Sequence, residues 1–243
     1  MERKSTLLIL LSLMISLKSQ GQQVYSTKNC KNYDHPEIEF VVTNESIPVN
    51  DIEWIISTLE DAVSNGTKYE NDQTLQLGYT IVKFIQKNNG VLEILEPDFV
   101  SFPINFINKL DNTLIYLRSQ KDIVESVKEE TDLFYPSILE SIVVHKNYIS
   151  ADKVLLERTE IESSISGWWV YDYNDQEGVN DTSNFSNISL YEFALKRPDL
   201  VKFLALAVGF QVLSSVEGVS LYTGNQPVDI KVDSYLNQLN KEK

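Results

Sequence analysis

The sequence predicts an α+β fold: mixed, mainly antiparallel sheets with hairpins packed against a few amphipathic helices. Three observations carry this reading. Ile52, Ile55, Ile56, Leu59 and Val63 recur at helical spacing; alternating β-branched and aromatic runs are joined by tight-turn residues such as Asn88-Asn89-Gly90; and hairpins and helices follow one another without regular strand–helix–strand units. With 243 residues, 42% of them hydrophobic and 23% charged, the chain is long enough to bury one or two cores.

The first 21 residues read as a signal peptide. Arg3 and Lys4 precede a nearly unbroken apolar run from Leu7 to Leu17, and Lys18-Ser19-Gln20-Gly21 turns polar and small. The run is shorter than the ~20 residues of a spanning helix and no second one follows, so the exported chain is expected to be soluble, periplasmic or extracellular, with no stable membrane span. Residues 22–46 are polar, with one strand-like alternation at 37–42, and read as a tether. Residues 47–243 form the folded region, divisible into 47–138 and 139–243.

In that region Pro48 and Asn50 open the first helix, with Trp54 expected beside its apolar stripe as a core anchor, and Asn65-Gly66 closes it. A hairpin of 75–85 with 91–95 follows, stopped by Pro97. Pro103 then opens a helix over 104–128, with Ile104, Ile107, Leu110, Leu114, Leu117, Val124 and Val127 along one side. Strands are predicted at 141–145, 153–160 and 167–173, then a polar loop over 174–187. Ser189-Leu190-Tyr191-Glu192 is a capping box, Pro198 opens a short helix to Leu206, and 210–216 pairs with 219–223 about Gly218.

Charge and composition narrow the function. Twenty-one Lys and Arg against 35 Asp and Glu give −14, which argues against a nucleic-acid partner; acidity of this size most often serves solubility, and as a guide to a partner it favours a cationic protein. One cysteine (Cys30) and two histidines (His35, His145) cannot supply a zinc-finger or iron–sulfur ligand set, and no phosphate loop, dinucleotide-binding pattern or nucleophile elbow is present, so no metal, cofactor or catalytic residue is assigned. Glu96 and Asp98 flank a proline after a strand. They serve either as local caps or as a contact for a cationic partner, and as paired acids they also admit an alternative reading as a glycan- or peptide-acting envelope enzyme. Asp172, Asp175, Glu177 and Asp181 fall in one loop. Its sixth and twelfth positions from Asp172 are Glu177 and Ser183, which fail the EF-hand pattern, leaving an anionic surface loop able to meet a basic protein. Asn44, Asn65, Asn180, Asn184 and Asn187 begin Asn-x-Ser/Thr triplets, which matter only in a host that glycosylates them.

Leu77-Gly78-Tyr79, Glu96-Pro97-Asp98-Phe99 with Pro103-Ile104, Gln120-Lys121-Asp122-Ile123-Val124, Tyr135-Pro136-Ser137, Glu157-Arg158-Thr159-Glu160, Ser166-Gly167-Trp168 and Ser189-Leu190-Tyr191-Glu192 occur in this order. In that order they resemble the bacterial polymorphic-toxin immunity protein family number thirty-three, from about Ile47 to the C-terminus. The resemblance implies a small α+β protein, encoded beside a toxin, that binds and neutralises it without catalysis. Gly78, Pro97, Ser166, Gly167, Trp168, Ser189 and Glu192 are the motif positions, and Gly167 with Trp168 or Trp169 also has a purely structural account, a tight strand entry and a core anchor. The export signal departs from a family expected to act in the cytoplasm against nuclease-like toxins. It points instead to a cell-wall, membrane or self-secreted toxin, or to another envelope partner.

Overall fold

A computed structural model describes residues 21–160 and 165–242. The expected signal peptide thus lies outside the described residues except for Gly21. The first sheet contains β1 (Gln23–Ser26), β2 (Ile38–Val42), β3 (Thr74–Leu77), β4 (Thr80–Gln86) and β5 (Leu92–Pro97) in the order β1-β2-β5-β4-β3, with β6 (Phe106–Ile107) paired to β5. The second contains β7 (Ser141–His145), β8 (Val154–Arg158), β9 (Ile165–Asp172), β10 (Phe185–Ser189), β11 (Phe210–Ser215), β12 (Gly218–Thr223) and β13 (Gln226–Pro227), in the order β10-β7-β9-β8-β11-β12-β13. Pairing is antiparallel apart from β2 with β5 and β7 with β9. Helices α1 (Val49–Ser64), α2 (Asp111–Ser126), α3 (Leu190–Lys196) and α4 (Tyr235–Lys241) complete the α+β architecture.

Each sheet has its own apolar core. Ile52, Ile55, Leu59 and Val63 of α1 pack with Ile38, Phe40, Val82, Phe84, Leu92 and Ile94 of the first sheet. Trp54 is 52% exposed, not a core anchor, because it lies two positions, roughly 200° around the helix, from Ile52. The second core joins Ile142, Val144, Leu156, Trp168, Val170 and Val212 to side chains of α3 and α4. Helix α2 belongs to both: Leu114 and Leu117 lie in the first core, Ile123 and Val124 in the second.

Four expectations are corrected. Residues 22–46 are not a tether, since β2 pairs with β1 on one side and β5 on the other, burying Ile38 and Phe40. The strand expected over 75–85 is itself a hairpin, broken at Gly78. The helix expected from 104 begins at Asp111. Ahead of it Phe106 and Ile107 pair with Pro97 and Glu96, and the buried Glu96 carboxylate accepts the amides of Asn112 (3.0 Å) and Thr113 (2.7 Å) at the helix start. The polar loop expected to run to 187 gives way at Phe185 to β10, which pairs with β7 throughout.

Gly78 is held at φ +61°, and a Cβ there would sit 2.2 Å from Leu117 Cδ2. Gly78→Ala is therefore expected to cost about 2–3 kcal/mol, from left-handed backbone strain plus displacement of Leu117. Urea unfolding monitored by circular dichroism measures it, and a loss under about 0.5 kcal/mol would contradict the close approach.

Candidate functional site

The site is built on β9 and the strands beside it. Between Ser141↔Ile165 and Val143↔Trp169 the β7–β9 register shifts, so Ser166-Gly167-Trp168 bulges out of the ladder. The Ser166 hydroxyl donates to the Ser141 carbonyl (2.8 Å) and accepts the Trp168 amide (3.3 Å). Gly167 has φ +79°, and a Cβ there would lie 2.5 Å from the Thr159 carbonyl oxygen, so the bulge requires glycine.

Beyond the bulge, consecutive side chains alternate. Trp168 is fully buried and its indole N–H donates to the Leu204 carbonyl at 3.0 Å. Opposite it on β8, Arg158 is also buried, and its guanidinium donates to the carbonyls of Phe134, Leu204 and Leu206 between the rings of Phe134 and Trp168. Burial draws the Arg158 pKa down to about 10, opposed only in part by the charge of Glu140. Arg158 and Trp168 together clamp the turn over 204–206 against the sheet, which is a structural duty.

Trp169 and Tyr171 point the other way. With Val143 and Phe185 they line an open cavity of about 560 Å³, and none of the four belongs to either apolar core. The Trp169 and Tyr171 rings stack at 6.2 Å and 13°, with Phe185 edge-on to both at 5.8 and 5.6 Å. Glu157, directly across from Trp169, accepts from Gln211 (2.9 Å) and lies 3.5 Å from the Tyr171 hydroxyl. Burial, then the Glu157 charge, pushes that phenol up to about 12. Glu160 also lines the cavity and is exposed.

The loop after β9 forms one wall through Val179 and Thr182, and local bonds hold it. Asp172 is buried and accepts from Asn147 and Asn174, so it is not the surface contact expected. Asp175, half-buried, accepts the Gly178 amide (2.8 Å) and lies 3.4 Å from Nε2 of the buried His145, whose ring meets Phe185 edge-on. Asp181 caps the next turn through Ser183. Asp181 and Glu177 are exposed.

Glu96 and Asp98 are not brought together as a pair. Glu96 is fully buried against α2, so it meets neither a partner nor a substrate. The Asp98 carboxylate accepts from Val100, Ser101, Asn105 and Tyr191. Desolvation pushes it up, but the bonds from Ser101, Val100 and Asn105 outweigh this and hold it well below the usual carboxylate range. Pro97 ends β5 and pairs with Phe106. Ser189 caps α3 by accepting the Glu192 amide at 3.0 Å. Among the described residues no group of His, Cys, Asp and Glu is arranged to hold a metal ion, and no helix is long and apolar enough to cross a membrane.

The bulge, the clamp and the aromatic cavity fall within one stretch that can be compared with known families. Residues 119–222 match the model of the Imm33-like domain. No curated protein and no solved structure matches the chain. The Imm33-like stretch runs from the middle of α2 through most of β12 and includes Arg158, Ser166, Gly167, Trp168, Ser189 and Glu192. The earlier motifs at Gly78 and Pro97 precede it. The sequence offers Trp169 only as an alternative to Trp168 for the core anchor, and of the two Trp168 takes that place; nothing in it marks Tyr171 or Phe185. The available signal was the two-residue period of β9, which sends neighbouring tryptophans to opposite faces when helices cover only one.

Proposed function

We propose that the chain is an exported, non-enzymatic immunity protein that neutralises a protein toxin by occluding it with the open face of the second sheet. The carrying observation is the aromatic cavity of Trp169, Tyr171 and Phe185. It lies inside the Imm33-like stretch and outside both cores, so these rings are left to contact a partner. Occlusion needs no cofactor, and the only catalytic alternative drawn from the sequence loses its acid pair, since Glu96 is enclosed and Asp98 is bound up in its own loop. Export rests on the signal-like first 21 residues, which favour a toxin acting in the cell envelope.

Co-expression with the toxin-like product of the adjacent gene is expected to give a stoichiometric complex by size-exclusion chromatography and to restore growth. Protection should require the first 21 residues. A toxin that neither co-elutes nor is neutralised would defeat the reading.

A further inference from the structure

We propose that the cavity on the open face of the second sheet seats an arginine side chain of a protein partner, with the guanidinium against the Trp169 ring and the carboxylates of Glu157 and Glu160 as its counter-charges. The partner's role as a toxin rests on the preceding reading; the cavity's preference for a cation stands on its own geometry. Three stacked or edge-on rings give a π-rich wall that attracts a cation, and a planar guanidinium both stacks on an indole and forks onto a carboxylate. The acids are placed for this. Glu157 is the cross-strand neighbour of Trp169, the exposed Glu160 lines the cavity, and the loop that supplies Val179 and Thr182 to its wall carries Asp175, Glu177 and Asp181 outside the lining. No Lys or Arg is among the described residues lining the cavity. The nearest cations in sequence are otherwise engaged: Arg158 is buried and donates to the carbonyls of Phe134, Leu204 and Leu206, Lys146 donates to Asn184, and Lys153 lies over the Tyr173 ring. A volume of about 560 Å³ exceeds what one arginine needs, so the flanking backbone of the partner can enter beside it.

The test is a titration of the full chain with the peptide acetyl-Gly-Arg-Gly-amide and with its citrulline counterpart, which keeps the shape and removes the charge. The readout is the indole N–H resonances. The arginine peptide should shift the Trp169 signal and leave those of Trp54 and Trp168 in place, and citrulline should bind about tenfold more weakly. Glu160→Gln, an exposed change, should weaken arginine binding about threefold or more at low salt, and Trp169→Ala should abolish it with the circular dichroism spectrum unchanged. Equal binding of both peptides, or a Trp169 signal that neither moves, would overturn the proposal. If a toxin complex forms but ignores Trp169→Ala and Glu160→Gln, arginine capture fails and neutralisation stands. If arginine binds and no toxin complex forms, the reverse holds.

Discussion

Trp168→Ala is expected to lower the unfolding free energy by about 3–5 kcal/mol, enough to unfold a marginal domain. The indole is fully buried, and its loss opens a cavity on the core side of β9 and takes from the Leu204 carbonyl the shorter of its two bonds, leaving that from Arg158. It also strips one aromatic wall from the buried Arg158 guanidinium, which among the described residues has no contacting carboxylate to fall back on. Trp169→Ala, one residue along, should cost about 1 kcal/mol or less, because that ring belongs to neither core. Urea unfolding of the two variants side by side measures the contrast, and equal losses would refute the division of β9 into a structural and an open face.

Stability is expected to fall as pH rises from about 4.5 to 7, by up to about 3 kcal/mol from Glu96 alone. Burial pushes the Glu96 carboxyl up to about 7; the amides of Thr113 and Asn112 pull it down but only partly offset this. The native state therefore holds the proton more tightly than the unfolded chain does. The contribution is fully present below the ordinary glutamate range and is lost as pH climbs through the folded value. Glu96→Gln removes this titration, so the difference in unfolding free energy between wild type and variant should change across the interval, with the variant gaining on wild type as pH rises. Unfolding curves at pH 5, 6, 7 and 8 give that difference. A constant gap would mean that Glu96 is ionised throughout and that the two amides outweigh burial.

Elements whose cause is local were legible in the sequence. The stripe of α1, the strand 141–145 and the Ser189 cap each depend on residues within a few positions, and each is found where the pattern put it. Elements fixed from a distance were not. The start of α2 is set by a carboxylate more than a dozen residues upstream, and β10 is polar enough to read as loop because it lies at the sheet edge. The residues read as a tether are ordered because β5, far along the chain, pairs with β2. For the site, the acids were conspicuous in sequence but are spent largely on holding their own loops. The aromatic surface was hidden in an alternation that only the one-sided placement of the helices makes meaningful.

Because α2 contributes its first half to one core and its second half to the other, the boundary of the Imm33-like stretch at residue 119 does not coincide with a seam in the molecule. A fragment excised at that boundary would begin in mid-helix, stripped of the carboxylate that anchors the helix start, and would lack Leu236, which closes the far side of its core. What matches the family model as a unit is thus not what folds as a unit, since Tyr79 and Ile81 before it and Leu236 after it help to fill the second core.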